Sequence, residues 1–208
     1  MSDYLTDEEQ LDRLKSWWTQ NGLTFVGVIV VAVVAVIGWR WYAEHRDDSV
    51  ARASDLYADY LKASGTERET IEATLVSEFP DSSYHVLVLL RDARTQMDSD
   101  DVTGALATLE KALALGPDQP LADLVRLRVA RLQQQLDQTA QALQTLGQVK
   151  SLGFRAQVLE LKGDIHMGRN ERDLARESYA AAMAEVGEGT RRPILEMKVA
   201  DTALANDA

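Results

Sequence analysis

The sequence predicts an all-α protein in which one N-terminal transmembrane helix is followed by a solenoid of repeated helix pairs. Three observations support this fold class. An uncharged apolar run lies near the N-terminus, apolar residues then recur at three- and four-residue spacing, and one pattern of small residues returns three times. The 208 residues are enough for a short tail, one membrane span and one globular domain.

The apolar run extends from Leu23 to Trp39, 17 residues without a charge. As a helix it covers roughly 25 Å, at the short end of the range for a membrane span. Eleven of its side chains are Leu, Ile, Phe or Val, and together they favour insertion by about 3–6 kcal/mol. Because backbone amides must be paired internally in hydrocarbon, the segment has to be helical. We therefore predict a transmembrane helix over residues 23–42.

Aromatic residues bracket this run, and all four tryptophans of the protein are among them. Indole rings prefer the headgroup layer of a bilayer, and an arginine at a helix end can extend its charge to the headgroups. The pattern is typical of a spanning helix. The predicted membrane-interface anchors, which would contact membrane lipid, are Trp17, Trp18, Trp39, Arg40, Trp41 and Tyr42.

A cleaved signal peptide and a buried core helix are the alternatives to a membrane anchor. A signal peptide needs a basic start and a small-residue cleavage site. This chain instead starts with an acidic tail over residues 1–22, whose five carboxylates and two basic residues, Arg13 and Lys15, give a net charge of −3. Bulky aromatic residues, not small ones, end the apolar run. A core helix fits the uniform hydrophobicity less well. Basic residues lie on both sides of the span, so local charge leaves its orientation open.

The remaining chain, residues 43–208, has a helical pattern interrupted by short breaks rich in glycine, proline and aspartate. About nine helices are expected in this domain. Residues 43–79 are predicted to form a first, degenerate helix pair. Residues 193–205 are predicted to form a capping helix that covers the apolar end of the solenoid, beginning at Pro193, where a missing amide costs nothing.

One spacing recurs in this domain: a small residue, Ala twelve positions later, Leu or Tyr four later, and Ala or Val three later. Successive copies are offset by 37 and 33 residues, close to the roughly 34-residue period of a tetratricopeptide repeat. Small side chains let the two helices of a repeat approach closely, which predicts a tetratricopeptide-repeat-like (TPR-like) solenoid. An unrelated alanine-rich bundle is the alternative, and Asp92 and Lys162 depart from the consensus. The three copies are Ala93-Ala105-Leu109-Ala112, Ala130-Ala142-Leu146-Val149 and Gly163-Ala175-Tyr179-Ala182.

A concave groove lined by the first helix of each pair is the predicted binding surface of such an array. Two of its rows are apolar with a basic edge, which suits an extended peptide or a partner helix. Alternatively, the first helix pair or the last helix fills this groove as ordinary core. The predicted partner groove consists of Leu87, Leu90, Arg94, Met97, Leu124, Leu127, Arg131 and Gln134. A third row would be Gln157, Glu160, Asp164 and Met167.

Catalytic, cofactor and metal motifs are not apparent in the sequence. It has no cysteine, and its three histidines are far apart. The segment starting at Asp98 fails as a calcium loop because Thr103 and Leu109 stand where glycine and glutamate are needed. The net charge of −11 opposes nucleic-acid binding. We expect a protein that is not an enzyme, takes no cofactor and binds no nucleic acid.

Several short motifs, in this order, carry a family resemblance. They are Trp17-Trp18 and Asn21-Gly22 before the span and Ile37-Gly38-Trp39-Arg40-Trp41 at its end, then residues 127–133, 135–136, 142–146, 162–164 and 175–176 in the domain. With these residues the chain resembles the bacterial ancillary SecYEG translocon subunits (YfgM-like proteins) over essentially its whole length.

The resemblance implies a single-pass protein of the bacterial inner membrane, with residues 1–22 in the cytoplasm and the repeat domain in the periplasm. It implies association with the Sec translocon and with a membrane-anchored periplasmic chaperone of the PpiD type. Unfolded secreted proteins would be its clients. The resemblance brings no catalytic residue with it.

Two classes of function therefore compete. In the first, the repeat domain assists Sec-dependent translocation and recruits the periplasmic chaperone. In the second, the acidic N-terminal tail tethers and sequesters a cytoplasmic stress-response regulator at the membrane. A scaffold for envelope or division machinery is a weaker third option.

Overall fold

The computed structural model describes residues 7–186 and 193–203. Within these ranges all regular secondary structure is helical, which confirms the predicted all-α class. The helices are α1 (Asp7–Lys62), α2 (Gly65–Glu78), α3 (Ser83–Asp98), α4 (Val102–Ala114), α5 (Gln119–Gln135), α6 (Thr139–Gly147), α7 (Arg155–Gly168), α8 (Arg172–Val186) and α9 (Pro193–Ala203), with a short 3₁₀ turn at Leu152–Phe154. The chain divides into two compact units, Met1–Arg52 and Ala53–Ala208.

The first unit contains α1 up to Arg52, and among the described residues α1 is the one helix long and apolar enough to cross a membrane. Its apolar side chains face outward, with Val31 69% exposed and Val34 64% exposed. This exposure would be costly in water but is favourable in lipid. The helix continues beyond the predicted span because no glycine or proline occurs between Gly38 and Gly65. Residues 1–6 of the acidic tail lie outside the described residues.

The second unit begins with the last turns of α1, residues 53–62, which pack with α2 and α3 around Tyr60, Leu75 and Val88. Three helix pairs follow: α3 with α4, α5 with α6, and α7 with α8. Helix α9 then packs on α8 through Leu195 and Val199. The predicted capping helix over residues 193–205 extends two residues past α9, and those two lie outside the described residues.

The small residues of the recurring pattern lie where the helices of each pair cross. Ala93, Ala130 and Gly163 on the first helices are buried, as are their Ala partners on the second helices. Gly163 shows why the position must be small: a Cβ there would overlap the ring of Tyr179 on α8. Of the twelve predicted positions, Val149 alone is only partly buried. Close helix approach, inferred from spacing, is therefore present in all three pairs.

A buried carboxylate fixes the start of α5. Asp123 is fully buried and accepts hydrogen bonds from the Ser151 hydroxyl (2.6 Å), the Ser151 amide (2.8 Å) and the Lys150 amide (3.1 Å). Arg126 Nη1 donates at 2.8 Å, and Gln119 Nε2 donates at 3.2 Å. Because Lys150 and Ser151 precede α7, this cluster ties α5 to the third repeat and sets the position of α5.

Candidate protein-interaction groove

An open pocket lies between α3 and α5 on the second unit. It encloses about 340 Å³, with Leu109 of α4 in its floor. Four more side chains complete an apolar lining, and three arginines with one aspartate form its polar part. The lining residues are Leu90, Ala93, Arg94, Met97, Asp98, Leu109, Arg128, Arg131 and Leu132.

The structure brings four of the eight predicted groove residues together in this pocket, namely Leu90, Arg94, Met97 and Arg131. The other four lie elsewhere. Leu87 packs partly buried against the α3–α4–α5 core, and Leu127 is buried in the cluster that α5 forms with α6 and α7. Leu124 and Gln134 are half-buried outside the pocket.

Five lining residues were missing from the predicted groove, and Arg128 is the charged one on α5; the others are Ala93, Asp98, Leu109 and Leu132. The predicted row on α5 passed through Leu127, but the helix directs Leu127 toward α6 and α7 and places Arg128 on the pocket. A row through residues 124, 128 and 131 fits helical spacing equally well. The signal that could have distinguished them is chemical: Leu127 suits a core, whereas Arg128 continues the basic edge formed by Arg131.

The three arginines line the same pocket, and Arg128 lies close enough to the other two for their charges to act on it. Burial lowers the pKa of Arg128, and repulsion from Arg131 and Arg94 lowers it further. Arg94 has a distant, exposed ion pair with Asp98 at 3.9 Å, a kind of pair that contributes little to stability. Within residues 7–186 and 193–203, Arg128 and Arg131 have no carboxylate within ion-pair distance. The rim therefore holds uncompensated positive charge in a protein of net charge −11.

The third predicted row is covered by the last helix. Lys198 of α9 binds Glu160 at 2.8 Å and Asp164 at 2.7 Å on α7, and the Tyr179 hydroxyl donates to Asp164 at 2.9 Å. Burial opposes the charge of Lys198, yet its hydrogen bonds to Asp164 and Glu160 raise its pKa. At this end of the solenoid α9 thus occupies the surface, and the pocket between α3 and α5 is left open.

The six predicted interface residues are all exposed on α1. Trp17 and Trp18 both pack edge-on against Phe25, with ring centroids 5.8 and 6.4 Å apart. At the other end of the apolar run, Trp39 lies 6.4 Å from Tyr42, and Trp41 stacks on His45 at 5.7 Å. Their role at lipid headgroups stays a prediction. In the part of the chain that the structure describes, no three acidic or histidine side chains converge to hold a metal ion.

Stacked helix pairs with an open groove define a class of protein, the helical-repeat interaction proteins, which bind partners on extended surfaces. The chain belongs to the tetratricopeptide repeat-like domain family, whose model matches residues 15–204. This match confirms the predicted TPR-like fold, which is a non-catalytic interaction fold.

Three relatives are similar to the chain over nearly its whole length, and each is named ancillary SecYEG translocon subunit. The protein of Haemophilus influenzae is 29% identical over 96% of this chain and 98% of its own length. The protein of Aggregatibacter actinomycetemcomitans is 28% identical over 90% of this chain and 93% of its own length. That of Escherichia coli K12 is 27% identical over 96% of this chain and 98% of its own length. The family resemblance inferred from the sequence motifs is confirmed.

Proposed function

We propose that this chain is a single-pass inner-membrane protein that associates with the SecYEG translocon and assists the transport of proteins through it. The observation that carries the proposal is the similarity to three ancillary SecYEG translocon subunits over the anchor as well as the repeats. A translocon lies in the membrane, and α1 provides a helix able to hold the repeat domain beside it. The chain acts by binding partners rather than by catalysing a reaction.

The proposal extends to the side of the membrane that each part of the chain occupies and to the partners of the repeat domain. Residues 1–22 lie in the cytoplasm and the repeat domain lies in the periplasm, where it recruits a membrane-anchored chaperone of the PpiD type and meets unfolded secreted proteins. The open pocket between α3 and α5 supports a binding role, because it lies on the face that a helical-repeat protein uses for partners. The alternative is a membrane tether whose acidic tail sequesters a cytoplasmic stress-response regulator; the tail's net charge of −3 favours it.

Two variants, one full-length and one truncated, distinguish these functions. The first replaces the five tail carboxylates by amides, which removes the acidic character but keeps the basic residues beside the span. We expect SecYEG to co-purify with this variant from detergent-solubilised membranes as it does with the wild type. The second variant ends at Lys62 and should lose SecYEG, because it lacks the repeat domain. The substitutions are Asp3→Asn, Asp7→Asn, Glu8→Gln, Glu9→Gln and Asp12→Asn.

The opposite pattern would contradict the proposal. If the amide variant loses SecYEG while the chain ending at Lys62 retains it, the tail and anchor mediate the association. A cytosolic regulator that is released by the amide variant, with SecYEG absent from every sample, would establish the tether function instead.

A further inference from the structure

We propose that the pocket between α3 and α5 binds a segment of a partner protein in which carboxylates flank apolar side chains. This inference rests on the proposed function, since it names the chemistry of the partner that the repeat domain takes. Its basis is the combination of an apolar floor with a rim of three arginines, Arg94, Arg128 and Arg131.

The floor fixes the apolar part of the ligand. The apolar lining residues Leu90, Ala93, Leu109 and Leu132 are buried, so they already belong to the core that supports the pocket. Met97, half-buried at one side, is an unbranched side chain that adapts to different shapes. The pocket volume of about 340 Å³ admits side chains of leucine or phenylalanine size. A flat charged surface would touch the rim but leave this depth unfilled.

The rim fixes the polar part. Arg128 and Arg131 have no carboxylate partner within the described ranges, and Arg94 has only its exposed contact with Asp98. Arg128 is repelled by both Arg131 and Arg94, and this repulsion opposes the stability of the free protein. Guanidinium groups bind carboxylates in a planar, two-pronged geometry that a lysine ammonium does not provide. Carboxylates of a partner would therefore relieve the repulsion and gain directed hydrogen bonds.

The fold itself does not need this charge. The helices beneath the rim are held by apolar contacts of the α3–α4–α5 core and by the Asp123 cluster, in which the arginine is Arg126. Neutralising Arg128 and Arg131 should consequently leave the melting temperature unchanged or raise it. If Arg128 and Arg131 serve binding, their substitution should weaken binding without destabilising the fold.

The test uses the full chain in phosphatidylcholine nanodiscs and fluorescence anisotropy with three labelled peptides. The first peptide alternates Glu-Leu and Asp-Phe pairs, the second has amides in place of its carboxylates, and the third has serine in place of Leu and Phe. We expect the first peptide to bind and the other two to bind much more weakly. The variant Arg128→Gln with Arg131→Gln should weaken binding of the first peptide by about ten-fold or more.

Lys111→Gln with Lys150→Gln is the matched control, since it removes the same charge at exposed positions away from the pocket. It should leave peptide binding within about two-fold, since long-range charge is screened by salt. Melting curves of both variants accompany the binding data. Equal binding of the amide peptide, equal weakening by the control, or a lower melting temperature of the arginine variant would overturn the proposal.

Two further measurements distinguish a protein segment from a lipid surface as the occupant, and failure of the peptide assignment from failure of the proposed function. In the first, phosphatidylglycerol vesicles are added to the peptide complex. If the vesicles bind the repeat domain and displace the peptide, the pocket binds a lipid surface, which contradicts a protein segment as its occupant. SecYEG co-purification is measured on the same arginine variant. If the wild type co-purifies with SecYEG but binds none of the peptides, the acidic-apolar assignment fails while the proposed function stands. If SecYEG is absent from the wild type, the proposed function fails.

Discussion

Replacing Asp123 by alanine is expected to lower the free energy of unfolding of the repeat domain by about 3–5 kcal/mol, because it breaks a buried ionic cluster by removing one partner. The exchange leaves Arg126 and the amides of Lys150 and Ser151 without their acceptor. These groups lie at a contact between the second and third repeats, where water would have to enter to satisfy them.

Urea titration of the detergent-solubilised chain, followed by the helical circular dichroism signal, measures this loss. Asp118→Ala is the control: Asp118 is exposed at the N-terminus of the same helix and makes no side-chain cap hydrogen bond. It should change the free energy of unfolding by less than about 0.5 kcal/mol. Equal, small effects at the two positions would show that the Asp123 cluster does not hold the repeats together.

The same carboxylate gives the fold a dependence on pH. Burial alone would raise the pKa of Asp123, but hydrogen bonds from Ser151, Gln119 and Lys150 outweigh it and hold the pKa far below its ordinary value. The contribution of ionised Asp123 to the free energy of unfolding is therefore fully present above the pKa of an unfolded-state aspartate, about 4. It is lost as the pH falls toward the pKa of Asp123 in the folded state. The difference in unfolding free energy between the wild type and Asp123→Asn should be constant near neutral pH and shrink below about pH 4.

Arginines at positions 31 and 34 are expected to abolish membrane insertion. Exchanging valine for arginine near the middle of a span costs about 3–4 kcal/mol on the insertion scale, so two exchanges cost about 6–8 kcal/mol. This exceeds the roughly 3–6 kcal/mol that the large apolar side chains of the run contribute. Val31→Arg with Val34→Arg should thus move the protein from the pellet to the supernatant in an alkaline carbonate extraction.

The matched control adds two arginines to α1 outside the apolar run, as Val50→Arg with Ala51→Arg. Both positions are exposed on the helix, and this variant should remain in the membrane pellet. Retention of the double variant at positions 31 and 34 would mean that the apolar run is not what anchors the chain.

The anchor and the repeats could be predicted from the sequence because their signals are local. An uncharged run identifies a span by composition, and small residues at fixed spacing identify helix crossings regardless of what surrounds them. Gly163 is an example: the repeat spacing predicted a small residue at this helix crossing, and the structure shows that the ring of Tyr179 leaves no room there for a side chain.

The residues that line the groove were harder to predict from the sequence. A helical row through Leu127 and a row through Arg128 satisfy the same periodicity, and the packing of α6 and α7 against α5 decides between them. The Asp123 cluster joins groups 27 and 28 residues apart, and Lys198 reaches carboxylates 34 and 38 residues away. Such pairings depend on how the repeats stack, which local spacing does not encode.

Site-specific photocrosslinking in intact cells tests the central claim most directly, namely that the repeat domain meets partners of the Sec pathway at the membrane. Benzoyl-phenylalanine is placed at position 97, on the pocket, and at position 110, exposed on α4 away from it. We predict that position 97 forms crosslinks to a SecYEG subunit, a membrane-anchored periplasmic chaperone or a secreted protein, and that position 110 forms few. Crosslinks from position 97 to cytoplasmic proteins alone would contradict both the proposed orientation and the proposed function.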